Sequence, residues 1–171
     1  MPKVTFYPEG KSGEVPSGTS LLDAADKLGI SINHDCGGFA TCSTCRILIV
    51  EGASHLTEID LDEENMLEEA ELPAPFRLSC QAKIHGDVVT RIPDAEMKWD
   101  QEALQHLEKQ PVKIRQMIRL VAETQARKKE VSTIDSELSK LLIKEAMDQI
   151  ESTAGDPNQL SALIKQAYEI P

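Results

Sequence analysis

The chain has 171 residues, with 18 Lys+Arg against 29 Asp+Glu and a formal net charge of −11. That length can bury a core without disulfides, and the acid surplus argues against nucleic-acid binding, which needs lysine and arginine for phosphate contacts. The longest aliphatic run, Ile47 to Val50, is far short of a bilayer span, and Met1 to Phe6 lacks the apolar core of a secretory signal, which points to a reducing cytoplasm.

Lys3 to Tyr7 alternates, with Val4 and Phe6 on one face, and predicts a strand. Gly10 to Gly13 reads as a turn and Gly13 to Pro16 as its partner strand. Ser20-Leu-Leu-Asp23 is a capping box that opens a helix with Leu21, Leu22, Ala25 and Leu28 on one face, stopped by Gly29. Arg46 to Val50 predicts a buried strand ended by Gly52, and Leu61 to Ala70 a short acidic helix. Arg77 to Ile84 and Asp87 to Ile92 read as two strands joined around Gly86. After Pro93 the period becomes 3.6 and strand signals vanish. Trp99, Ala103, Leu104 and Leu107 suggest one helix, and Ile114, Met117, Ile118 and Val121 a second. Ile134, Leu138, Leu141 and Leu142 suggest a third, capped by Ser132. Asp156-Pro157 opens a fourth, with Leu160, Leu163, Ile164, Ala167 and Tyr168 as its apolar stripe.

Composition changes at the same place. Residues 1–93 carry a net charge of −8 and residues 94–171 one of −3, while all four cysteines and eight of nine glycines lie in the first part. The pattern predicts an α+β domain with a small sheet over 1–93 and a helical domain or extension over 94–171.

Three of the four cysteines, Cys36, Cys42 and Cys45, fall within ten residues, and Cys80 lies far downstream. Disulfides explain this poorly without an export signal. Zinc sites use two short ligand pairs, whereas C-x5-C-x2-C with one remote cysteine suits a wrapped cluster, so iron–sulfur leads and zinc stays open. A cluster of two ferric ions, two sulfides and four thiolates is a dianion and needs N–H donors close by. Gly37 and Gly38 allow the positive φ that turns amides inward. Ala40, Thr41, Ser43 and Thr44 keep the loop thin, and its hydroxyls can donate.

Through Cys36-Gly-Gly, Cys42-Ser-Thr-Cys45 and Arg77-Leu-Ser-Cys80-Gln, residues 3–93 resemble the 2Fe–2S ferredoxin family, nearer its adrenodoxin-like and bacterial branch. The resemblance implies a β-grasp fold with the helix from Ser20 across the sheet. It implies one 2Fe–2S cluster, with Cys36 and Cys42 on the outer iron and Cys45 and Cys80 on the inner. Arg46 departs from the histidine that adrenodoxin-like members often carry there. The helical part matches no family by its motifs.

Among other residues, His34 could replace a thiolate as histidines do in Rieske centres, while His55, His85 and His106 show no ligand spacing. Phe39 either shields the cluster or packs on the loop. Glu58 to Glu71 carries eight acids and no base, a solvated face or a docking patch for basic redox partners, as the corresponding adrenodoxin-like segment is. Lys113 to Lys129, including Arg115, Arg119, Arg127, Lys128 and Lys129, carries net +5, a polar face or a cover for the acidic segment. No nucleophile arrangement, phosphate loop or dinucleotide fingerprint is present. The expected function is one-electron transfer at low potential between a ferredoxin reductase and an acceptor. An iron–sulfur sensor and the electron-entry part of a larger oxidoreductase are the alternatives.

Overall fold

Alternation in β1 (Lys3–Tyr7) sends Val4 and Phe6 into the core and leaves Lys3 outside. The computed structural model describes residues 1–95, 97–153 and 156–171. The chain divides into two compact units, Met1–Pro93 and Asp94–Pro171.

In the first unit, β1 pairs antiparallel with β2 (Lys11–Glu14). The partner strand therefore starts two residues before the expected Gly13, because the turn closes at Gly10 and Phe6 pairs with Lys11. Ser20 caps α1 (Leu21–Lys27), its hydroxyl accepting from the Asp23 N–H at 3.1 Å, and Leu21, Ala24 and Ala25 face inward. Gly29, at φ +71°, follows the helix end. Next come β3 (Arg46–Glu51), the acidic helix α2 (Leu61–Glu69), β4 (Phe76–Leu78) and β5 (Val88–Arg91). Gly52 is required after β3: a Cβ there would stand 2.2 Å from the Asp87 carbonyl oxygen.

The sheet runs β2-β1-β5-β3-β4. Parallel pairing of β1 with β5 closes the mixed sheet, and β3 lies between β5 and β4. The fold is an α+β β-grasp. Two expectations fail at its end. Arg77 to Ile84 is not one strand, because Gln81 and Ala82 turn their N–H groups back to the Leu78 carbonyl at 3.1 and 3.0 Å. Nor are the last two strands joined around Gly86 alone: residues 79–87 connect β4 to β5, and β3 lies between the two in the sheet.

The second unit holds α3 (Gln101–Glu108), α4 (Val112–Lys128), α5 (Ser136–Glu151) and α6 (Pro157–Tyr168). It also contains a two-residue parallel ladder, β6 (Lys98–Trp99) with β7 (Thr133–Ile134), which the sequence pattern does not predict. Trp99 and Ile134 are partners in that ladder rather than first members of helices. Asp100 and Asp135 follow them and cap α3 and α5, accepting from the Ala103 and Leu138 N–H groups at 2.7 and 2.8 Å. The cap of α5 is therefore not Ser132, and the phase of the helix leaves Leu141 exposed and turns Ile143 inward. Asp156 caps α6 as expected, and Leu163, Ile164 and Ala167 are buried. Trp99 Nε1 donates to buried Glu123 at 2.8 Å, and Arg119 Nε donates to the same oxygen at 2.9 Å. Among the described residues no helix is long and apolar enough to cross a membrane.

Candidate metal centre

Three elements bring the cysteines into one region. Cys36 and Cys42 lie on the loop after α1, Cys45 stands at the mouth of β3, and Cys80 follows β4 by two residues. All four are free thiols, and Cys45 alone is fully buried. They gather as pairs. The Cys45 and Cys80 sulfurs are 3.5 Å apart, and Cys36 hydrogen-bonds Cys42. Two sulfurs on one tetrahedral ion, at a metal–sulfur distance of about 2.3 Å, stand about 3.8 Å apart. The Cys45/Cys80 pair is thus close to the spacing that a shared metal ion sets.

The loop backbone is built around these sulfurs. Gly37 and Gly38 adopt φ +73° and +93°, which only glycine takes without strain, and Ala40 follows at +56°. The N–H groups of Thr41, Gly38 and Phe39 consequently converge on the Cys36 sulfur. Ala40 N–H reaches Cys80, and Cys80 N–H reaches Cys45. Thr44 accepts from Asp35 N–H at 3.0 Å, which leaves its hydroxyl proton for the Cys42 sulfur at 3.1 Å.

The electrostatic result is a set of thiols prepared to lose protons. Cys36 is lowered to about 6, chiefly by the Thr41 N–H. In the inner pair Cys45 donates its proton to Cys80, which lowers Cys80 to about 6 and raises Cys45, burial adding to the latter. One buried group is left over. The Ser79 hydroxyl is buried without a fixed hydrogen-bond partner among the described residues, on a residue whose N–H donates to the Cys45 carbonyl at 3.1 Å. Paired thiols, a ring of inward N–H groups and an uncommitted buried hydroxyl fit an anionic iron–sulfur cluster.

The histidines take other roles. His34 Nδ1 donates to the Ile32 carbonyl at 2.7 Å, and His55 Nδ1 to the Asp87 carbonyl at 2.7 Å. His85 pairs with the Ser17 hydroxyl and His106 with the Ser139 hydroxyl, each at 2.9 Å. Phe39 is 78% exposed and lies against Gly37.

Three features escaped the sequence. Glu63 is fully buried: its carboxylate accepts from Arg77 Nε at 2.7 Å, Arg77 Nη2 at 2.9 Å and Leu78 N–H at 2.9 Å. It therefore anchors the residues just before Cys80 and drops out of the exposed acidic segment. Nothing in a run of eight acids marks the one with a long-range partner. Ser79 and Gln81, which flank Cys80, likewise gain their roles only when the loop folds over them.

The profile of the family described as a 2Fe-2S iron-sulfur cluster binding domain matches residues 4–85. The chain is 36% identical to a 2Fe-2S ferredoxin of Haemophilus influenzae over 105 residues, 60% of this chain and 93% of that one. It is 39% identical to a 2Fe-2S ferredoxin of Escherichia coli over 95 residues, 54% of this chain and 86% of the relative. The crystal structure of the ISC-like 2Fe-2S ferredoxin of Pseudomonas putida superposes with a TM-score of 0.52 at 37% identity, covering 56% of this chain and 94% of that one. The chain belongs to the 2Fe–2S ferredoxin family of electron carriers, and its cofactor is one 2Fe–2S cluster.

Proposed function

We propose that Cys36, Cys42, Cys45 and Cys80 are the four ligands, the first two on the outer iron and the last two on the inner. The protein then works as a low-potential one-electron carrier between a ferredoxin reductase and an acceptor protein. The gathering of the thiols in two pairs inside a ring of N–H donors carries this reading. When bound, the cluster supplies reversible one-electron chemistry. The chain's residues do the rest. Inward N–H groups of residues 38–41 offset the thiolate charge, and burial of Cys45 keeps water from the inner sulfur. Acids outside oppose added negative charge, which supports a potential in the range of plant-type ferredoxins, about −400 mV.

The docking surface in this reading is the segment 58–71. Glu58, Asp62, Glu64, Glu68 and Glu69 are exposed there, with Ile59 and Leu61 exposed among them at 47% and 69%. An apolar centre with an acidic rim suits a partner with a basic rim. Residues 1–93 form the carrier domain and residues 94–171 a separate helical domain, in a reducing cytoplasm where the thiols stay free.

The test is reductase-driven electron transfer through the protein to cytochrome c, a basic acceptor. Saturable transfer is expected, slowing as salt rises, and each single Cys→Ala variant should abolish it together with the visible spectrum. Full transfer by any of the four variants would remove that cysteine from the ligand set.

A further inference from the structure

Gln81 and Ser79 are the side chains that stand beside the inner pair of sulfurs without being ligands. Gln81 Nε2 lies 3.4 Å from the Cys80 sulfur and 3.1 Å from the Gly38 carbonyl oxygen. Both neighbours are acceptors, so the amide nitrogen, not its oxygen, must face them, and each of its two protons has one acceptor. The same amide therefore ties the loop at Gly38 to the strand end at Cys80. Ser79, on the other side of Cys80, has a buried hydroxyl whose proton is uncommitted, and its N–H donates to the Cys45 carbonyl at 3.1 Å, which sets the residue beside Cys45.

We propose that Gln81 and Ser79 set the reduction potential by donating side-chain hydrogen bonds to the Cys80 and Cys45 sulfurs. The inference rests on the ligand assignment above. Once all four thiols are thiolates, the Cys45 proton no longer serves Cys80. That sulfur is left with Ala40 N–H and the Gln81 amide as donors. Donors of this kind favour the more negative state of the centre, so they favour the reduced form and raise the potential. Each residue is a positioning and tuning group, not a ligand, and the backbone donors remain when either is removed.

The test is the reduction potential, followed by electron paramagnetic resonance, of the full chain and of Ser79→Ala, Gln81→Met and the double variant. Ser79→Ala removes a buried hydroxyl that has no fixed partner besides the proposed bond to the Cys45 sulfur, so folding should be unharmed. Gln81→Met keeps length and loses both donors. Each substitution should make the potential more negative by up to about tenfold in the reduction equilibrium, where tenfold is 59 mV for one electron. The shifts should add in the double variant, with two irons per chain throughout. An unchanged or more positive potential in either variant overturns the proposal. A second measurement needs no substitution: with 15N in glutamine side chains only, the reduced native protein should show a nitrogen coupling in pulsed resonance. Its absence overturns the Gln81 contact. If the native chain gives no mixed-valent signal at all, the ligand assignment has failed, and that outcome is distinct from either of these.

Discussion

At the scale of single residues, the inner pair of thiols differs from the outer pair by the burial of its proton donor, Cys45. Cys45 donates its proton to Cys80, so Cys80 ionises near pH 6 while its partner resists. Cys36 ionises in the same range through backbone donors. In the protein stripped of iron, Cys36 and Cys80 should be about nine-tenths thiolate at pH 7. Iodoacetamide should label those two first, and the labelling should slow as pH falls through 6, because a lowered pKa keeps the thiolate only above it. Cys45 should label last at either pH. Mass spectrometry of the labelled peptides reads this directly, and Cys45 labelling first would contradict the hydrogen-bond direction. The cysteines were legible in the sequence because spacing records them. Gln81 and Ser79 were not, because Gly38 and Cys45, which meet them, lie 43 and 34 residues earlier in the chain.

At the scale of elements, the buried ion pair between α2 and β4 bears on whether Cys80 reaches its place. Glu63 meets both Arg77 nitrogens and the Leu78 N–H. Removing it leaves a buried guanidinium without its partner. Glu63→Ala should cost about 3–5 kcal/mol in denaturant unfolding, whereas exposed Glu64→Gln should cost less than about 0.5 kcal/mol. Equal effects would show that the pair does not hold the element. Asp60 caps α2 by accepting from the Glu63 N–H at 2.9 Å, and Asp60→Ala should cost about 1 kcal/mol. Periodicity and caps located α1, α2, α4 and α6 well: α1, α2 and α6 have side-chain N-caps, and α4, which lacks one, repeats its apolar positions over 17 residues. It overran at Arg77 to Ile84, where apolar Ala82 and Ile84 continue the alternation while the backbone turns at Ser79. It also drew Trp99 and Ile134 into helices. Those residues are buried by pairing in a ladder that two residues cannot announce.

At the scale of the whole chain, the proposed carrier activity belongs to residues 1–93, where all four cysteines and the five-stranded sheet lie. A chain ending at Asp94 should keep its iron and its visible spectrum, and loss of iron on truncation would place the helices in the cluster domain's core. The basic stretch that the sequence offered as a cover for the acidic segment is engaged within the second unit. Arg119 and Arg127 pair with Glu123, Arg127 also with Asp94 at 3.7 Å, and Arg115 donates to the Glu108 and Gln110 carbonyls. Arg115→Glu/Arg119→Glu should therefore destabilise the helical unit. It should leave the salt dependence of transfer to cytochrome c unchanged. A changed salt dependence with unchanged stability would instead support the covering role.

The most direct measurement is the spin count of the reduced full chain, made beside its iron and sulfide content after anaerobic purification. One 2Fe–2S cluster on four thiolates predicts red-brown protein with about two irons and two sulfides per chain. Reduction by one electron should give one unpaired spin per chain, and reoxidation should remove it. Colourless protein that carries zinc and gives no spin on reduction, even after cluster reconstitution, would contradict the account.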